Sequence, residues 1–216
     1  MNRPQKILSI VPIPRKKRPM FFALAIIVLS AGWRIIALHA PSLSNFAPLM
    51  ALTFCGAVYF RDKRLWLIPL VALTLSDFYL NHYYAVHFGE TWTYSGAVLR
   101  LLSFAGGLAF GAMVAARRSW PTLLGGALGS SLFFYLVTNT GSWQANPAYA
   151  KTAAGWLQAM TVGLPQYAPT LYFFRNTIIS DLVFTAAFAL VMEYAARRAG
   201  QPSLLGQRSV ARVSNR

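Results

Sequence analysis

One apolar run near the end of the chain, residues 171–190, constrains the fold more than any other stretch. It is long enough to cross a bilayer, because a membrane-spanning helix needs about 20 apolar residues. The run also contains Arg175, Asn176 and Asp181. A charge in hydrocarbon costs a few kcal/mol, so these side chains should face a protein interior or a water-filled cavity. Arg175 and Asp181 point about 120° apart on a helix, so we expect Asp181 to find its counter-ion on another helix.

The composition indicates a membrane protein throughout. Hydrophobic residues make up 56% of the 216 residues and charged residues only 12%, whereas soluble domains carry about 25% charged residues. The sequence predicts an all-α, polytopic membrane protein, a bundle of six transmembrane helices at residues 20–196 between basic tails at 1–19 and 197–216. The expected spans are 20–38, 46–60, 65–80, 96–116, 121–137 and 170–195. A short interfacial helix is expected within 153–162, which is too short to cross.

The basic residues predict the orientation. Sixteen of the 20 Lys and Arg residues fall in the two tails and in the connections at 61–64 and 117–118. The opposite side receives only Lys151, and three arginines lie within spans. The positive-inside rule therefore places both termini in the cytoplasm, with the protein in a bacterial inner membrane. The net charge of +15 is expected to meet the lipid bilayer rather than nucleic acid, because a bundle in lipid offers no basic groove.

The polar residues within or beside the spans form a candidate substrate-binding site. They are Arg34, Asn45, Asp77, Arg100, Asn139, Arg175, Asn176 and Asp181. The predicted topology places them in the outer half of the membrane, in a pocket roofed by loops at 81–95 and 138–169. Three arginines against two aspartates leave one surplus positive charge, which favours an anionic ligand, and aromatic loop residues suit a flat ring. The alternative is that the arginines extend to the membrane surface and the aspartates are structural partners.

Other motifs are weaker, and no cofactor or metal site is expected. His82, His87 and Glu90 lack a same-face helical spacing in a predicted loop. The chain has no Walker P-loop, no Gly-x-Ser-x-Gly and no His-Glu-x-x-His. The pairs Gly107/Gly111 and Gly125/Gly129 predict close helix packing.

Several stretches together resemble a family of bacterial six-span proteins that are labelled only as transport proteins. They are 44–52 (SNFAPLMAL), 56–60 (GAVYF), 69–77 (PLVALTLSD), 131–139 (SLFFYLVTN) and 174–185 (FRNTIISDLVFT). The layout is more distantly similar to the S-components of energy-coupling factor transporters. That likeness implies an uptake subunit that binds a vitamin or metal from outside and pairs with a separate ATPase module. The Ala-x-x-x-Ala docking face of S-components is not found on the first helix.

We therefore expect a small-molecule uptake protein that binds a vitamin-like or anionic solute in an outward-facing pocket. Two alternatives stay open. The first is a membrane enzyme that uses Asp77 and Asp181 as acid and base. The second is a non-catalytic scaffold in which the charges only fix the helix register.

Overall fold

A computed structural model describes residues 18–60, 62–89, 94–198, 200–203 and 205. The two predicted tails therefore lie largely outside the described residues, as does Glu90. The described residues form an all-helical fold. Its α-helices are α1 (Arg18–Leu38), α2 (Leu49–Tyr59), α3 (Ile68–Phe88), α4 (Tyr94–Ala115), α5 (Trp120–Ala145), α6 (Ala153–Met160) and α7 (Thr170–Arg198). Two short 3₁₀ helices, Pro41–Leu43 and Lys63–Leu67, flank α2.

A helix occupies each of the six expected spans, and α6 occupies the position expected for the short helix. Within the described residues, three helical segments are long and apolar enough to cross a membrane: Gly96–Ala115, Trp120–Ala145 and Thr170–Arg198. Together with the all-helical fold, they indicate a helical membrane protein.

The distribution of side chains also fits a membrane environment. Large apolar residues face outward, including Leu29 (72% exposed) and Phe78 (73% exposed). Conversely, many hydroxyl-bearing side chains are buried, among them Thr53, Ser131 and Thr185. A soluble domain rarely exposes so much apolar surface. The polar interior is where functional side chains are expected in a membrane protein.

Helix α2 forms the centre of the bundle. It packs against α3, α4, α5 and α7, while α1 packs against α3, and α6 packs against α5 and α7. Nine of the eleven residues of α2 are buried. At about 1.5 Å per residue, α2 is about 16 Å long, roughly half the thickness of a hydrocarbon core.

Two helices extend further than the sequence predicts, so two predicted loops are shorter. The expected loop at 81–95 is wrong for residues 81–88, because α3 continues to Phe88 and ends at Gly89. Gly89 has a φ of 65°, the left-handed conformation that glycine adopts most readily. Helix α5 continues to Ala145 and ends before Asn146 and Pro147, because a proline disfavours helix in the residue before it.

The glycine pairs differ in what they contact. A Cβ at Gly111 would lie 2.4 Å from the Phe54 carbonyl oxygen, so α2 and α4 approach each other as closely as predicted. In α5, by contrast, no atom of the described part of the chain lies within 4 Å of such a Cβ at Gly125. The expectation of close packing at Gly125 is therefore wrong, and the neighbouring Gly126 faces Phe54 and Val114 instead.

Candidate functional site

Two arginines and one aspartate form an ion cluster between three helices. Arg34 Nη1 in α1 lies 2.8 Å from Asp77 Oδ1 in α3. Arg100 Nε in α4 lies 3.2 Å from Asp77 Oδ2. Arg34 also donates to the Leu73 carbonyl oxygen at 3.2 Å and to the Ser76 hydroxyl. Two guanidinium groups on one carboxylate leave the cluster with a net charge of +1.

Asp181 lies apart from this cluster in a nearly closed environment. The residue is 2% exposed, and its Oδ2 accepts a hydrogen bond from the Ser131 hydroxyl at 2.7 Å. The backbone N–H of Ala51, in the first turn of α2, also faces the carboxylate. No hydrogen-bond partner for Asp181 Oδ1 exists among the described residues. The expectation of a paired counter-ion is therefore wrong, because Asp181 meets a hydroxyl and a helix N-terminus rather than an arginine.

A small cavity joins the ion cluster to Asp181, and we call it the inner cavity. It has a volume of about 130 Å³. Its lining residues are Arg34, Asn45, Ala47, Leu49, Met50, Leu73, Arg100, Phe104, Phe134, Thr177 and Asp181. Two positive side chains and one carboxylate thus line the same small cavity. At about 30 Å³ per water, the inner cavity holds about four waters or one small charged group.

A second, larger cavity adjoins the inner one, and we call it the outer cavity. Its volume is about 780 Å³, and it shares Asn45, Phe134 and Thr177 with the inner cavity. Its other walls come from the end of α5, from residues 145–149 and from the segment 163–174. Residues of the loop 138–169, which was expected to cover the pocket, therefore line part of the outer cavity. Among the described residues of the other expected roof, Gly89 alone contributes to the lining.

The short helix α6 packs against α5 and α7, next to residues that line the outer cavity. The Tyr135 hydroxyl donates to the Met160 carbonyl oxygen, and the Tyr135 ring stacks on Phe174 with centroids 4.1 Å apart. Trp156 Nε1 of α6 donates to the Thr140 hydroxyl at 3.1 Å. These contacts hold α6 against α5 and α5 against α7, and Tyr135 and Phe174 themselves line the outer cavity.

Three of the predicted site residues have other surroundings. Asn176 is buried, and its amide donates to the carbonyl oxygens of Ser42 and Ser44, both at 2.9 Å. Asn176 therefore fastens α7 to the segment before α2. Arg175 is exposed, and its guanidinium lies 4.3 Å from the Tyr172 ring centroid. Asn139 lines the outer cavity, but its amide donates to the Tyr135 carbonyl oxygen of its own helix.

A third cavity, of about 610 Å³, lies around Glu193 near the end of α7. Glu193 is 7% exposed and accepts hydrogen bonds from the Ser203 hydroxyl at 2.7 Å and from the Leu205 N–H at 2.8 Å. We call it the Glu193 cavity. Sequence reasoning missed this residue, although a lone glutamate in an apolar run is a usable signal.

The fold and these buried charges define a helical membrane protein with a polar interior. A profile of the family of unknown function DUF6580 matches residues 15–204, so the chain belongs to that family. No curated protein and no solved structure matches the chain. The match agrees with the expectation of an uncharacterised family, and nothing in it links the chain to S-components.

Proposed function

We propose that the protein binds a small anionic solute in the inner and outer cavities and takes part in its uptake. The observation that carries the proposal is the ion cluster of Arg34, Asp77 and Arg100, which lines two cavities inside an apolar bundle. Asp181, the other carboxylate on the inner cavity, forms no ion pair with either arginine among the described residues, so the positive charge left over in the ion cluster is costly unless an anion or water meets it. A ligand carboxylate or phosphate group supplies that partner.

The sizes of the two cavities indicate which part of the ligand each cavity would hold. The inner cavity takes one charged group, since its volume is about 130 Å³. The outer cavity has about 780 Å³, within the range of roughly 300–1,000 Å³ that ligand sites occupy. Phe134, Tyr135 and Phe174 line it and suit a flat, vitamin-like body.

The proposal includes a topology and a location. Six segments would cross a bacterial inner membrane with both termini in the cytoplasm, as the positive-inside rule favours. Five are the helices α1, α3, α4, α5 and α7, and the sixth is α2 together with its flanking segments. The outer cavity would then open to the exterior, at the end that carries Lys151. The pairing with a separate ATPase module, which the likeness to S-components implies, stays a prediction.

The test compares two arginines that differ in position. Arg100 lines the inner cavity, whereas Arg175 is exposed and lines neither the inner nor the outer cavity. The purified protein in detergent is screened for thermal stabilisation by small carboxylates and phosphate esters. A ligand that stabilises the parent should stabilise Arg175→Gln equally but Arg100→Gln far less. One lost charge-assisted hydrogen bond is worth about 1.5–3 kcal/mol, or about 10- to 150-fold in affinity.

Two results would contradict the proposal. The first is an anion that binds Arg100→Gln as tightly as it binds the parent. The second is an Arg100→Gln variant whose only defect, at every anion concentration, is a lower melting temperature, which is what the scaffold alternative expects.

A further inference from the structure

Unpartnered polar atoms are concentrated in one part of the interior. Five buried side-chain atoms have no hydrogen-bond partner among the described residues. They are Tyr59 Oη, Arg118 Nε, Ser130 Oγ, Asp181 Oδ1 and Thr185 Oγ1. More than about 90% of buried polar groups in proteins are hydrogen-bonded. All but Arg118, which lies just before α5, belong to α2, α5 or α7, which pack against one another, so the atoms lie along one seam.

The members of this seam follow one another along the bundle. On α7, Thr185 lies about 6 Å and Glu193 about 18 Å along the helix axis from Asp181. On α2, the Cys55 thiol lies beside Thr185 and near Asp181. Tyr59, one turn further along α2, lies near both Cys55 and Glu193. We call this set, together with Ser130, the polar seam.

The two ends of the polar seam line cavities at different depths. Asp181 lines the inner cavity, which adjoins the outer cavity. Glu193 lines the Glu193 cavity near the other end of α7. The separation of about 18 Å along α7 covers more than half of a hydrocarbon core of about 30 Å. Unpartnered buried polar groups are usually met by water, so the polar seam offers hydroxyls and water sites through the apolar interior.

The charged and titratable groups around each end are few. Around Asp181, α1 contributes Arg34, α4 contributes Arg100 and α2 contributes Cys55. Helix α5 has no charged residue, and its Ser131 hydroxyl donates a hydrogen bond to Asp181. The groups around Glu193 are Tyr59, Arg118, Tyr194 and Arg197. Asp181 thus has two arginines across the inner cavity and no ion pair among the described residues.

We propose that the polar seam is a proton path, with Asp181 as its proton-binding site and Glu193 as its far end. The Asp181 carboxylate takes a proton from a hydronium ion in the inner cavity, which leaves a water molecule there and a neutral carboxylic acid at Asp181. It then returns the proton to water beside Thr185, from which hydroxyls and water pass it to the carboxylate of Glu193. Acidic side chains in the interior of membrane proteins commonly serve as such relays. Proton entry supplies the driving force for solute uptake, and this last step rests on the proposed uptake function.

The test uses the full chain in liposomes of phosphatidylethanolamine and phosphatidylglycerol, with no solute present. A potassium gradient with valinomycin sets the membrane potential, and an entrapped pH-sensitive dye reports proton entry. The parent should admit protons faster than protein-free liposomes, and Asp181→Asn should abolish the difference. Asparagine keeps the shape and the hydrogen bond from Ser131 but binds no proton.

Two threonines give a matched comparison within the seam and outside it. Both Thr185 and Thr53 are 0% exposed, but the Thr53 hydroxyl donates to the Leu49 carbonyl oxygen of its own helix at 2.7 Å. Thr185→Val should slow proton entry about tenfold, the effect of one lost hydrogen bond on a rate. Thr185→Ser should restore the rate, and Thr53→Val should match the parent.

A second readout follows Asp181 directly. The chain has only five Asp and Glu residues, so infrared difference spectra between acidic and alkaline pH contain few carboxylic-acid bands. One band should be missing in Asp181→Asn. Equal proton entry in the parent and in Asp181→Asn, or equal slowing by Thr185→Val and Thr53→Val, would overturn the proton path. Neither result depends on anion binding, so the path and the proposed uptake function fail separately.

Discussion

Gly111 and Gly125 provide a quantitative test of the packing, because the same substitution should have opposite effects. Both are helical glycines, in α4 and α5 respectively. A Cβ at Gly111 would lie 2.4 Å from the Phe54 carbonyl oxygen and 2.7 Å from Ala57 Cβ. Backbone atoms cannot turn away as a flexible side chain can, so α2 and α4 must separate. Overpacking of this kind costs about 1–3 kcal/mol, and the higher helix propensity of alanine offsets about 1 kcal/mol.

We take the upper end of that range for a backbone clash, which gives a net loss of about 2 kcal/mol for Gly111→Ala. At Gly125 no atom lies within 4 Å of the added Cβ, so Gly125→Ala should gain up to about 1 kcal/mol. For a chain of this length, each kcal/mol shifts the melting temperature by about 2–4 °C. Gly111→Ala should therefore melt about 4–8 °C below the parent in detergent, and Gly125→Ala up to about 4 °C above it.

Melting is followed by size-exclusion chromatography after heating, so that the loss of folded, monodisperse protein is measured directly. A Gly111→Ala variant that melts at or above the parent temperature would refute the close approach of α2 and α4. A Gly125→Ala variant that melts several degrees below the parent would show that this face of α5 is packed rather than open.

Two further predictions address the α7 anchor and the topology. Asn176→Ala removes two hydrogen bonds to the segment before α2. The free energy of unfolding should therefore fall by about 1–3 kcal/mol, and the melting temperature should fall with it. Asn139→Ala is the control, since its amide bonds only its own helix, and equal losses would contradict the anchoring role. Reporter fusions after Arg118 and after Tyr149 should give cytoplasmic and exterior signals respectively. A cytoplasmic signal after Tyr149 would overturn the six-span topology.

The positions of the helices could be predicted from apolar runs, whereas two of their ends could not. Residues 81–88 of α3 contain asparagine, histidines and tyrosines, a polar composition typical of a loop. The helix nevertheless continues to Gly89, whose left-handed conformation stops it. Gly89 was the available signal, since glycine commonly follows the last turn of a helix.

The candidate site could be predicted in part. The predicted topology fixes the depth of each side chain in the membrane, but it does not fix the rotation of each helix about its axis. Arg34, Asp77 and Arg100 were expected at one depth, and they meet in one ion cluster. The partner of Asp181 was not predictable, since it depends on which face of α5 turns toward α7. That face presents Ser131. Arg175, only six residues before Asp181, turns outward.

The burial of α2 has a consequence for biogenesis. An eleven-residue helix is too short for the insertion machinery to recognise as a span by itself, since recognition takes about 20 apolar residues. All four helices that pack against it, α3, α4, α5 and α7, are synthesised after it. Helix α2 therefore reaches its final position only when the last helix has emerged from the ribosome. Chains truncated before α7 lack the Asp181 carboxylate that faces the first turn of α2. Such chains would have an incompletely packed bundle, and cellular quality control would degrade them.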